Sequence, residues 1–136
     1  MLSLRMEEQA VTVGLIQGFP ASDWIRARDQ AREILIRRTA RPNPFIPYSD
    51  LVTLLDLPIE AHDPRLSALL DEISTKEHEE GRGFLTALVV HKHGSMVPGA
   101  GFFEMARRCG FEFDDEQDFF IKQYKYLMDY WRVNRP

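Results

Sequence analysis

Apolar residues fall at helical spacing in several stretches of this chain and crowd together in one other. Trp24, Ala27, Ala31, Ile34 and Leu35 repeat every three to four positions after Ser22, which predicts a helix from a Ser22 N-cap to about Ala40. P-N-P-F-I-P then forbids its continuation. Ser49 is placed to cap a short helix through Leu55 that turns Leu51, Leu54 and Leu55 inward, and Pro58 closes it. Asp63 followed by Pro64 is a helix start, and Leu66, Leu69, Leu70 and Ile73 mark one buried face of a helix ending near Gly81. From Phe84 to Val90 the apolar residues are continuous and the run is short, which predicts a buried strand. H-K-H-G-S turns the chain, and Met96 and Val97 are expected to pair back before P-G-A-G opens a helix from about Phe102 to Cys109. Asp114, with Gln117 three positions on, is read as the cap of a final helix to about Val133 whose inner face is Phe120, Tyr124, Leu127 and Trp131.

Residues 1–21 fit either a short helix over Met6 to Ile16 or a strand over Ala10 to Ile16. The expected fold is therefore α+β and helix-rich, in one domain over residues 1–136. Its parts are an N-terminal helical part over 1–46, a winged helix-turn-helix-like core with a short β-hairpin over 47–110, and a C-terminal helix over 111–136. The winged-helix reading rests on the order short helix, turn, longer helix, strand, turn, strand.

Composition narrows the class without naming a function. With 136 residues, 44% hydrophobic and 28% charged, the chain suits one domain with an ordinary core, and disordered or collagen-like readings fall away. The single cysteine, Cys109, cannot form an intramolecular disulfide and points to a reducing, cytoplasmic setting. No apolar run approaches the roughly 20 residues of a membrane span, so no membrane partner is expected.

The net charge of −4 is unevenly spread: residues 49–83 are strongly acidic, whereas the helix after Ser22 is rich in arginine. Arg26, Arg32, Arg37, Arg38 and Arg41, with Lys92 and His93 in the later turn, are the candidate nucleic-acid contacts, leaving the acidic helix after Asp63 facing outward. Gly99 and Gly101 open a helix whose free N–H groups suit an anion, and are the anion-binding candidates. His91 and His93 project from one face and could offer two imidazoles to a metal, with His62 or Glu104 as a third ligand. Two histidines fall short of a ligand set, so no metal and no other cofactor is expected. Cys109 has no neighbouring histidine base and is read as a half-buried helix cap, and His78 as an exposed residue. Ten aromatics in the C-terminal third exceed what two short helices hide, which suggests that some face a partner.

From Pro47 to Gly110 the chain resembles the C-terminal domain of alkylguanine-DNA alkyltransferases and the related alkyltransferase-like proteins. P-Y-S-D-L-V-T-L-L is similar to that family's first helix start, R-L-S-A-L-L-D-E-I lies where its recognition helix follows, and L-V-V-H-K-H-G-S where a strand and turn follow. The resemblance implies a winged helix and a DNA-binding ancestry. It does not imply alkyl transfer, because the family's reactive P-C-H-R is replaced by Leu85, Thr86, Ala87 and Leu88. The stretch from Gly81 to Phe103 is also similar to small bacterial proteins, which implies a bacterial source. The expectation is a non-enzymatic binding module for nucleic acid or protein. Its rivals are a metal-dependent hydrolase using His91, His93 and Glu104, and a protein-binding subunit dimerising through the C-terminal helix.

Overall fold

The computed structural model describes residues 14–92 and 97–136, and these form a helix-rich α+β structure with five helices and two small two-stranded sheets. A tight hairpin comes first. β1 (Leu15–Ile16) pairs antiparallel with β2 (Phe19–Pro20) across a two-residue turn in which Gln17 and Gly18 both adopt positive φ, 54° and 83°. That is the turn whose twist suits a hairpin. Of the two readings open for this stretch, the described residues show strand at Leu15 and Ile16, with Gly14 outside it, and residues 1–13 lie outside the described residues.

The return strand runs directly into α1 (Ala21–Arg38). The expected Ser22 cap is not used: Pro20 occupies the cap position, and the Ala21 N–H donates to the Gly14 carbonyl. The hairpin supplies from backbone what a serine hydroxyl would otherwise supply. Beyond the prolines, β3 (Ile46–Pro47) leads into α2 (Tyr48–Thr53), so Ser49 lies inside the first turn rather than at the cap. Asp63 does cap α3 (Pro64–Glu79), its carboxylate accepting from the Arg65 backbone N–H at 2.9 Å.

The largest departure falls at Phe84–Val90. Leu85–Leu88 form a turn of 3-10 helix, and the strand is reduced to β4 (Val89–Val90). This turn packs against α1, α3 and the last helix, so all four of its side chains are buried. A segment covered on every side shows no periodicity, and length alone pointed to a strand. Thr86 satisfies its hydroxyl against Ser74 of α3. β4 then pairs in parallel with β3, Ile46 opposite Val89 and Pro47 opposite Val90. Of the expected hairpin after His91, the described residues hold one backbone bond, from the His91 N–H to the Val97 carbonyl at 3.4 Å. Met96 lies outside them.

α4 (Ala100–Arg108) and α5 (Glu116–Val133) complete the chain. Asp115, not Asp114, caps α5 by accepting from the Asp118 N–H at 3.0 Å. The core is in two clusters. Trp24, Leu35, Ile46, Leu51, Leu69, Leu88 and Leu127 anchor the larger, between α1, α3 and the C-terminal half of α5. Phe84, Phe102, Phe103, Phe119 and Phe120 anchor the smaller, with Phe111 and Phe113 packed on it. Most of the C-terminal aromatics are accounted for in this way: the Phe113 and Phe119 rings stack at 3.9 Å, and only Tyr126 among the ten is exposed by half. No described helix is long and apolar enough to cross a membrane.

Candidate functional site

Where α2, α3, β4 and the start of α4 meet, they enclose a pocket of about 450 Å³. Tyr48, the first residue of α2, reaches across so that its hydroxyl accepts the Gly99 N–H at 2.9 Å. The His91 ring at the end of β4 rests against the Tyr48 ring with centroids 5.2 Å apart. Gly99 has an ordinary φ of −72°, so its need for glycine is spatial: a Cβ there would stand 3.1 Å from His91 Nε2 and 3.5 Å from the Tyr48 hydroxyl. A Cβ at Gly101 would meet Ser67 Oγ at 3.4 Å, which places the α4 N-terminus against the first turn of α3.

Two further observations describe the pocket's chemistry. Among the described residues no side chain caps α4, whose first residues Ala100 and Gly101 line the pocket. Ser49 lines the same pocket, and its hydroxyl oxygen is buried with no hydrogen-bond partner among the described residues. Lys92 stands at the rim, 3.9 Å from Asp50. From α3, Ser67, Leu70 and Asp71 line the pocket, at the spacing that puts them on a single face of the helix. Burial pushes the Asp71 carboxyl above its ordinary range, Arg108 at 2.7 Å opposes this, and Glu104 adds to it. Burial likewise pushes the Tyr48 hydroxyl up, against the Gly99 hydrogen bond.

The arginines of α1 are not brought together as one open face. Arg26 bonds Asp56 at 3.1 Å and Asp23 at 3.3 Å, Arg37 lies 3.7 Å from Glu33, and Arg38 donates to the Phe45 carbonyl at 3.3 Å. Arg32 turns toward α3, where its Nε donates to Glu77 at 2.6 Å. Arg41 is exposed, just beyond the helix. Of the acids on the helix expected to face outward, Glu72, Glu79 and Glu80 are exposed and Glu77 is the exception. It is fully buried, taking two more bonds from Arg82 at 2.7 and 3.0 Å, while Glu72 accepts the Trp24 indole N–H at 2.5 Å. Arg32, Glu72, Glu77 and Arg82 line an open groove of about 1020 Å³ between α1 and α3, and the paired Asp71 and Arg108 line it as well.

Of the residues named from sequence, the pocket unites Lys92, Gly99, Gly101, His91 and His62. Glu104 and Cys109 do not line it, and His93 lies outside the described residues. Among the described residues no group of three or more histidine, cysteine, aspartate or glutamate side chains is arranged to hold a metal ion. His78, expected to be exposed, is half-buried, its ring stacked on Phe84 at 5.4 Å. Sequence reasoning missed Tyr48, Ser49, Ser67 and Asp71. The available signal was the spacing of Ser67 and Asp71, which places two polar residues beside the buried Leu66 and Leu70 face. Comparison with family models, curated proteins and solved structures finds no match to this chain.

Proposed function

We propose that this chain is a non-enzymatic binding module that takes an anionic group in the Tyr48 and Gly99 pocket. One observation carries the reading: the start of α4, which its N-cap residue Gly99 leaves without a side-chain cap, lines the same pocket as Ser49, whose buried hydroxyl oxygen has no hydrogen-bond partner among the described residues. Ala100 and Gly101, at the positive end of α4, line this pocket together with Ser49, Ser67 and Lys92. The volume is that of a small-molecule site.

A phosphate is the anion best matched to several donors and one cation, and it can be free or part of a nucleic-acid backbone. The backbone source is favoured by the winged-helix reading of the core. α2, α3 and β4 keep the required order, and the bond from His91 to Val97 lies at the base of the expected wing. In that version the pocket, with Lys92, receives a phosphate, and the exposed Arg37 and Arg41 extend the contact.

Titration with inorganic phosphate, followed through the amide resonances of Ala100 and Gly101, tests the site. Saturable shifts are expected, weakened by Lys92→Ala. Their absence at millimolar phosphate overturns the reading. A duplex oligonucleotide separates the two sources: steep weakening with salt marks backbone binding, and its absence alongside phosphate binding marks a small ligand.

A further inference from the structure

The aromatic residues of the C-terminal half border a second, smaller pocket of about 230 Å³ that shares no residue with the first. His78 from the last turn of α3, Phe84, Phe111 and Tyr126 of α5 line it. Three of these rings touch one another. His78 stands against Phe84 at 5.4 Å and against Phe111 at 5.2 Å, and Phe111 stands against Phe84 at 5.6 Å. Tyr126, though half exposed, is held at both ends of its ring. Its hydroxyl donates to the Gly81 carbonyl at 2.7 Å, and its Cδ1 lies so close to Gly83 that a Cβ there would stand 3.0 Å away. An exposed ring fixed in this way needs little further ordering when a ligand arrives.

The angles between the rings and the absence of charge around them narrow the ligand. Phe111 is turned 60° from His78 and 67° from Phe84, so the rings meet as a corner rather than as parallel faces that would clasp a flat base or indole. A rounded group touches several such rings at once. Among the described residues no carboxylate, lysine or arginine lines the pocket, and Gln123 is its one amide side chain. An anion finds no cation there, and a primary ammonium gives up its water for no acid in return. A fully methylated ammonium holds its water less strongly, and it is drawn both to ring faces and to the negative end of α3 that carries His78.

We propose that this pocket binds a small quaternary ammonium compound, its trimethylammonium head seated among His78, Phe84, Phe111 and Tyr126. The inference is independent of the phosphate site and assigns the chain a second ligand of opposite charge.

The test titrates the full chain with choline and with 3,3-dimethyl-1-butanol, which has the same shape and no charge, at about pH 8, where free histidine is neutral. Followed through the amide resonances of Gly81 and Gly83, choline is expected to saturate the site and the alcohol to bind about tenfold more weakly, the scale of desolvated cation–π contact. Ethanolamine, whose ammonium carries no methyl groups, should bind no better than the alcohol. Tyr126→Leu should lose choline binding, whereas Tyr126→Phe, which keeps the ring, should retain most of it. Phe111→Leu serves if Tyr126→Leu fails to fold. Equal affinities for choline and the alcohol, ethanolamine binding as tightly as choline, no shifts at millimolar choline, or choline binding unchanged in both leucine variants overturn the proposal. A trimethyllysine peptide that binds far more tightly than choline overturns the small-molecule ligand in favour of a protein partner.

Discussion

Glu77 is the residue whose environment departs furthest from its type. A fully buried carboxylate is tolerated because three charge-assisted bonds close around it, two from Arg82 and one from Arg32. Burial pushes its carboxyl up, and the hydrogen bonds from Arg82 and then Arg32 outweigh that, leaving it below the ordinary value of 4.5. An acid depressed in the folded state stabilises the fold above its unfolded value and loses that contribution as pH falls through the folded one. The melting temperature is therefore expected to drop as pH is lowered below about 4.5, and to drop less steeply in Glu77→Gln. Arg82→Met, which leaves the buried charge one bond, should cost about 3 kcal/mol in denaturant unfolding, and Arg32→Met less. None of this was legible in the sequence, where Glu77 sits among Lys76, Glu79 and Glu80 and reads as one more solvated charge. A second residue-scale contrast concerns glycine. Gly83 has φ of +88° and its Cβ would lie 3.3 Å from the Leu127 backbone, whereas Gly110 has φ of +101° and open space. Gly83→Ala is expected to destabilise by about 2–4 kcal/mol and Gly110→Ala by about 1 kcal/mol, as read from paired melts.

At the scale of elements, the helices with a full apolar stripe were legible and the short pieces were not. α3 declares itself through Asp63, Pro64 and the Leu66, Leu69, Leu70, Ile73 face, and all four of those side chains are buried. Leu69, wholly inside the larger cluster, is the substitution site that tests it. Leu69→Asp should abolish cooperative unfolding, since an unpaired buried carboxylate costs more than a domain of this size has to spare. The Asp63 cap predicts a subtler effect. Hydrogen bonds from the Arg65 side chain and backbone hold its carboxyl down at about 2, so the cap persists at acidic pH and is lost as pH falls toward that value. Helicity lost on going from about pH 4 to about pH 2 should be smaller in Asp63→Ala than in the unaltered chain. The 3-10 turn and the two-residue strands escaped the reading because their conformations are imposed by what surrounds them. Leu85–Leu88 carries no cap, no alternation and no stripe.

For the molecule as a whole, the distribution of charge changes meaning once partners are assigned. The arginine-rich helix looked like a surface for a polyanion. Arg26, Arg32 and Arg38 instead tie α1 to Asp56, Glu77 and Phe45, which leaves Arg37 and Arg41 as its more open cations. Arg37→Glu should thus leave phosphate binding in the pocket unchanged, and reduce duplex affinity only if the bound phosphate belongs to a backbone. The pocket was half legible: Gly99 and Gly101 announced the helix start, whereas Tyr48, Ser49 and Asp71 reach it only through the packing of α2 and α3. That packing also bears on how the chain finds its shape. The parallel pair Ile46–Val89 and Pro47–Val90 joins strands separated by the whole of α2 and α3, and no hairpin can bring them together. Closing that register carries the loop entropy of the whole intervening segment, so the pairing is expected to form late in folding. Val89→Ala is expected to accelerate unfolding in a stopped-flow chevron while leaving the refolding limb nearly in place. The pocket, bounded by β4 and by α2 directly after β3, would then be assembled last, in a framework already formed.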